Sequence, residues 1–277
     1  MLNRIFLLLL MSCFFTSAQT HRFVYELQFK IDSTSADYIK TKMVLDINSK
    51  DVKFYEYKFL RMDSINKANQ NYGFRTWGFQ NIITRERESF KNKNFEKSDD
   101  LFVYQTDDPM KWNLSSETKT EDQYLLQKAT TFFGGRSWTA WFCKEIPYNE
   151  GPYKFRGLPG LIFQIYDSKS LFKYNLVESK LFDKTYDTAG FIENYAGTKP
   201  LQVTEQIVRK KKLEKFNDPF KEFMFQLDKQ PGAKYFYKNI QITSKDQLKA
   251  LEKQAQEAMI KENNPIEINK AIPYQRK

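Results

Sequence analysis

Phe23, Tyr25, Leu27, Phe29 and Ile31 alternate with Val24, Glu26, Gln28, Lys30 and Asp32. Period two over ten residues predicts a half-buried strand. Similar runs follow at Met43–Ile47 and Val52–Phe59, the latter with Tyr55, Tyr57 and Phe59 on one face. Further strands are expected over 82–87, 101–105, 124–130, 137–142, 161–167 and 171–177. A short helix is expected over 63–70, capped by Asp63. Short, aromatic-rich, closely spaced strands imply a mainly β (α+β) fold: a twisted antiparallel sheet or half-open barrel, built mostly from hairpins, with helices on one side. No fixed-period repeat and no strand–helix alternation appear, which disfavours a doubly wound α/β fold.

The pattern changes near Thr198. Residues 201–277 are Lys-rich and partly helical, packed on the domain formed by residues 19–200. Asp218-Pro219 reads as an N-cap followed by proline at the first helical position. Phe220, Phe223, Met224 and Leu227 then share a helical face, and Pro231-Gly232 stops it. Residues 235–242 read as a last strand. Ser244 and Gln247 form a capping box that opens a helix to Glu262, striped by Leu248, Leu251, Ala255, Ala258 and Met259.

Residues 1–18 read as a secretory signal peptide: Arg4, the apolar run Ile5–Met11 extended by Phe14 and Phe15, then Thr16-Ser17-Ala18 for cleavage after Ala18 or Gln19. An ordinary buried N-terminal element and a lipoprotein anchored through Cys13 (Leu10-Met11-Ser12-Cys13) are the alternatives. Export places the chain in the periplasm or at the cell surface, and no later run is long enough to span a membrane. Without Arg4 the chain has 43 Lys and Arg against 34 Asp and Glu, a net +9. That charge fits anionic lipid or polysaccharide better than nucleic acid in an exported protein, and a solvated Lys-rich surface is the simpler reading. With Cys13 removed, Cys143 stands alone and no intramolecular disulfide is possible.

Three of ten glycines and two of nine prolines fall within 151–160, in Gly151-Pro152 and Gly157-Leu158-Pro159-Gly160. Leu158-Pro159-Gly160-Leu161 fits a type II turn, with proline presetting φ and glycine supplying positive φ. Leu161-Ile162 then enters a buried strand, and Gly157 suits a close backbone approach or a bulge. No Gly-Lys-Ser/Thr is present, so a phosphate cradle is excluded.

Gly157-Leu158-Pro159-Gly160-Leu161-Ile162 resembles the signature of the GLPGLI family, secreted proteins of Bacteroidota. Gln127-Lys128-Ala129, Trp138-Thr139-Ala140-Trp141-Phe142, Glu145-Ile146-Pro147 and Gly151-Pro152-Tyr153-Lys154-Phe155 resemble its upstream blocks. Asn264-Pro265-Ile266-Glu267 resembles its C-terminal signature. The resemblance covers most of the chain and is weak over 181–240. Leu126 stands where some members carry cysteine, and Cys143 is not a position expected to be one, so no family disulfide is carried over. The resemblance implies export and a β-rich fold. It implies no reaction, and its motif residues are read as structural.

Catalytic residue types are scarce. His21 is the only histidine and lies beside the expected cleavage site, on a terminus expected to be mobile. A Ser-His-Asp triad, a Cys-His pair and a multi-histidine zinc site are therefore disfavoured. Asp99-Asp100, Asp107-Asp108 and the pair Glu86/Glu88 leave a carboxylate hydrolase open, although Arg85 and Arg87 interleave with the glutamates as on a solvated strand. Trp138 and Trp141 point to opposite faces of one strand. One is expected in the core, while the other, with Tyr153, suits a ligand or partner surface. Arg209-Lys210-Lys211-Lys212 is a basic cluster, read as an anionic contact or a solvated helix face. No cofactor and no metal are implied. The expectation is a non-catalytic envelope module that binds an apolar or amphipathic ligand; the alternatives are an interaction component of an outer-membrane uptake system and the hydrolase.

Overall fold

In the computed structural model the described residues are 19–70, 82–97, 100–194, 198–230 and 234–275. The leading segment 1–18, Pro231, Gly232 and Asp99 lie outside them.

The chain is mainly β. Among the described residues twelve strands form one sheet: β1 (Thr20–Phe29), β2 (Ile39–Asn48), β3 (Asp51–Glu56), β4 (Ile82–Glu86), β5 (Lys91–Lys97), β6 (Leu101–Asp107), β7 (Asn113–Glu121), β8 (Tyr124–Phe133), β9 (Arg136–Cys143), β10 (Leu161–Asp167), β11 (Phe172–Phe182) and β12 (Leu201–Gln202). Their spatial order is β12-β6-β5-β4-β3-β2-β1-β11-β10-β9-β8-β7. Every pairing is antiparallel except β12 with β6, so the sheet is mixed. The two end strands do not meet, and no barrel closes.

β1 lies mid-sheet between β2 and β11. Phe23, Val24 and Tyr25 are therefore buried in succession, because both faces of the sheet are covered there. The main core lies on the face of Phe23, Tyr25, Leu27, Leu45, Phe54 and Trp138, beneath residues 146–163 and Ile266. A second cluster sits on the opposite face, where Val44 and Tyr55 meet Phe59 and Leu60 of helix α1 (Lys58–Asn69) and Phe191 and Ile192. Helix α2 (Glu205–Asn217) lies over the first face, where Val208 borders a hollow with Tyr104 and Tyr153. A satellite core of Phe220, Ile242, Leu248 and Ala255 joins α3 (Lys221–Lys229), the hairpin β13 (Tyr235–Tyr237) and β14 (Ile240–Ile242), and α4 (Lys245–Lys261).

Several local expectations need correction. The strand of 52–59 ends at Glu56 because the helix starts at Lys58. Asp63 is then an interior, buried helix residue bonded to Lys67, not a cap. Asp218 caps the C-terminus of α2, and Phe220 occupies the N-cap of α3, although Phe223, Met224 and Leu227 do turn inward. Residues 235–242 form two strands, reversed where Lys238 takes φ +53°. The capping box is present: Ser244 Oγ accepts from Gln247 N at 3.3 Å, while Gln247 Oε1 reaches back to Thr243 N. Among the described residues no helix is long and apolar enough to cross a membrane.

Candidate functional site

The segment between β9 and β10 folds back over the main core as a cap. Its reversal is not a type II turn. Gly160 N donates to Leu158 O at 2.8 Å, closing a three-residue turn on Pro159, and Leu161 N donates instead to Ile146 O. Gly160 has φ +152°, and a Cβ there would lie 2.1 Å from the Cys143 carbonyl oxygen. Glycine is required at this position chiefly because two backbones touch. Gly157 takes φ +97° and donates to Asn149 O. Pro152 is buried and accepts from Phe155 N. Gly151 packs on Ile162, whose amide bonds to Glu150 O and whose carbonyl accepts from Tyr25 OH at 2.6 Å. Burial, with the Glu150 charge, pushes the Tyr25 phenol well up, so it remains a donor. Leu158 and Leu161 fill the core below.

This cap buries charge. Glu150, 1 % exposed, accepts from Arg85 at Oε2 and from Arg156 Nε at Oε1 (3.1 Å). Arg85 also donates to Tyr153 O, and the Arg156 guanidinium stacks 4.6 Å over the Phe90 ring. Arg85 is thus a core residue, not one of a solvated strand; Glu86 and Glu88 are exposed and do not converge with it.

A second cluster joins the cap to the C-terminal segment. Lys154 Nζ lies 2.6 Å from Glu267 Oε1 and 3.1 Å from Asp108 Oδ2. Tyr153 OH donates to the same Glu267 oxygen at 2.6 Å, and Lys270 Nζ reaches Oε2 at 2.8 Å and Glu205 at 3.1 Å. Burial alone would push the Glu267 carboxyl up; Lys154 and Lys270 outweigh it and hold the group below its ordinary value. Burial and the Glu267 charge push the Tyr153 phenol well up. A hollow of about 210 Å³ opens beside this cluster, toward Tyr104, Glu205 and Arg209. Lys154, Lys270 and the Tyr153 phenol together hold Glu267 as an anion at rest.

Arg136 clamps the same segment. It donates to Asn264 Oδ1, Pro265 O and Ile266 O, and pairs with Asp167. Gly134 and Gly135 allow the contact, because a Cβ on either would strike Glu267 or Ile268.

The expected surface aromatics are covered. Trp138 is 1 % exposed, packs on Phe155 at 4.6 Å and donates to Phe133 O. Tyr153 is buried as described. Trp141, on the other face as expected, lies beneath Lys119 (4.9 Å) and Lys128 (5.9 Å). His21 is not on a mobile end: it sits in β1, half-buried on Phe23, with Nε2 2.8 Å from Ser179 Oγ. Cys143 is buried and free. Among the described residues no three His, Cys, Asp or Glu side chains converge as metal ligands.

A different kind of site lies in the helical region. Between α2, α3, α4 and the hairpin is a groove of about 450 Å³, walled by Phe220, Phe223, Tyr237, Ala255 and Met259. Lys211, Lys215 and Lys221 stand on its rim with Glu214, Asp218 and Glu222. Residues 201–277 hold 16 Lys and Arg against 10 Asp and Glu, a net +6 of the chain's +10.

A family model matches the cap. It is described as "Protein of unknown function (Porph_ging)", and it covers residues 134–164, from the Gly134 turn to mid-β10. No curated protein matches the chain. Among solved structures, PNGF-II in space group C2 is similar at TM-score 0.51 and 14 % identity, over 70 % of this chain and 32 % of that one. PNGF-II in space group P21 gives the same score and identity, over 70 % and 33 %. The chain thus spans about a third of the length of the PNGF-II chains, and the likeness is one of fold. Glu150, Lys154, Arg156 and Trp138 fall inside the matched family segment. Arg85, Asp108 and Glu267, which complete the two charge clusters, fall outside it. The sequence named Asp108 among the candidate carboxylates, Glu267 within the C-terminal signature and Arg85 as part of a solvated strand, but nothing local marks these charges as buried; only the topology brings them to the cap.

Proposed function

We propose that this chain is an exported, non-catalytic module of the cell envelope that binds an amphipathic ligand. The observation that carries this reading is the groove between α2, α3 and α4. Its aromatic and methionine walls suit an apolar tail; its rim carries three lysines and three carboxylates, and the lysines suit an anionic head in a region of net +6. Export is supported by the signal-like pattern of residues 1–18, and membership of the GLPGLI family by the motif at 157–162 within the matched segment. The non-catalytic reading is supported by the cap, where buried carboxylates are saturated by cations.

The test uses dodecyl phosphate to displace anilinonaphthalene sulfonate from the full chain. Saturable displacement is expected, lost in Met259→Asp with an unchanged melting midpoint and weakened in Lys215→Glu. Failure of dodecyl phosphate to displace the dye from the folded protein sinks the reading. A second reading, an envelope interaction component, is favoured by the open edge of the sheet. There β7 has no outer partner among the described residues, and Leu114, Leu125 and Phe132 are 55 %, 55 % and 73 % exposed.

A further inference from the structure

We propose that Lys154 and Asp108 condense to form an intramolecular isopeptide bond, with Glu267 relaying the proton. An amine and a carboxyl group are both buried here, at 2 % and 8 % residue exposure, with Lys154 Nζ 3.1 Å from Asp108 Oδ2. That contact is to the carboxylate oxygen and sets Nζ beside Asp108 Cγ, so amine and carboxyl are held as fixed neighbours, which react as though at very high concentration. A second carboxylate, Glu267 Oε1, touches the same nitrogen at 2.6 Å. Three groups in this arrangement supply a nucleophile, an electrophile and a proton carrier.

The environments of the two carboxylates differ and set their roles. Glu267 is gripped by Lys154, Lys270 and Tyr153, which keep it an anion: a proton acceptor and a weak electrophile. Asp108 receives its other side-chain hydrogen bonds from neutral donors, Asn92 Nδ2 at 3.0 Å and Thr106 Oγ1, and both fall on Oδ2. These donors are placed to hold negative charge on Oδ2 as the Asp108 carbon becomes tetrahedral. Asn94 Nδ2 in turn donates to Thr106 Oγ1 at 2.9 Å, which orients the hydroxyl toward Asp108.

The step balances without any co-reactant. The Lys154 ammonium passes one proton to Glu267 Oε1, and the neutral Nζ attacks Asp108 Cγ. The new C–N bond forms, Nζ loses its second proton, and Oδ1 leaves as water carrying both. An ammonium and a carboxylate thereby become a neutral amide, and Glu267 returns to the anion. The product removes a buried charge pair, whose desolvation is costly, and leaves an amide that Asn92 and Thr106 still satisfy. It would tie the end of β6 to the cap in a chain that has no second cysteine beyond residue 18 for a disulfide.

The experiment is mass spectrometry of the full chain, purified and shown to be folded by a cooperative melt. The expected result is a species lighter by one water, and a proteolytic fragment in which the Lys154 and Asp108 peptides are joined. Lys154→Arg and Asp108→Ala each restore the unmodified mass, and Glu267→Gln slows the conversion. A folded wild-type chain that keeps its full mass on prolonged incubation overturns the proposal. So does a branched peptide joining Lys154 to Glu267. Cross-linking in Glu267→Gln at the wild-type rate removes the relay.

Discussion

The cap over the main core and the helical region at 201–262 are built on different physics. In the cap, Glu150, Lys154 and Arg156 are each at most 2 % exposed, and each is paired. The ion pairs made wholly within the helical region lie in water: Lys210–Glu214, Lys245–Asp228 and Lys249–Asp246 have side chains 47–94 % exposed. Surface pairs contribute little, at about 0–1 kcal/mol. Breaking a buried pair strands a charge. The cap is therefore specific and intolerant of change. The satellite core of the helical region rests on four buried apolar residues, with Val208 and Phe216 buried besides, and an amphipathic surface, so it can spare residues for a ligand.

The largest effect is expected at Glu150. Glu150→Ala leaves two arginines buried without their shared carboxylate, at a cost of about 3–5 kcal/mol. A denaturant titration checks this, and a loss below about 1 kcal/mol would show that water or neighbours replace the carboxylate, removing the contrast between the regions. Gly160→Ala comes next, at about 2–3 kcal/mol, from positive φ and a Cβ driven into the Cys143 carbonyl. Gly157→Ala is the control. Its φ is also positive, at +97°, yet its Cβ would meet only side chains, the Phe90 ring edge at 3.2 Å and Trp112 Nε1 at 3.8 Å, so a larger loss at Gly160 reports the backbone contact.

Most strands were legible because their apolar residues alternate, and β10 falls where the pattern put it. Of the three strands that the pattern missed, β12 is only two residues long, and β5 and β7 explain the limit. In β5, Lys91 and Lys93 face solvent while Asn92 and Asn94 face inward, so the alternation is present but written in polar residues. Their buried amides bond to Asp108 and Thr106, within the charge cluster. In β7, an edge strand with little buried, Ser, Thr, Glu and Lys carry no alternation at all. Gly157 and Gly160 both take positive φ, but the turn type was not legible. The Ile146 carbonyl takes the Leu161 hydrogen bond that a type II turn would use, and that partner lies 15 residues away.

Ser244→Ala tests the helical region at the moderate end. Ser244 caps α4 through Gln247 N, and its loss is expected to cost about 1 kcal/mol. Hydrogen exchange should show the increase confined to α4 and the hairpin, with the cap unchanged. Equal loosening of the cap would mean that the two regions unfold as one.

The smallest effect concerns His21, which lies against the cap's own Tyr148. Burial lowers its pKa from the ordinary value. The folded chain therefore binds fewer protons than the unfolded chain as pH falls through and below about 6.5. Stability rises with pH wherever the unfolded state holds more protons, so His21 costs the fold stability as pH drops and costs it nothing near pH 8. His21→Ala should therefore lose the Phe23 and Ser179 contacts at pH 8, yet show a shallower decline than wild type between about pH 7 and 5. The ratio of the two melts across that window is the measurement. Parallel curves would mean that the imidazole titrates as freely as in the unfolded chain, and that the cap does not shield the end of β1.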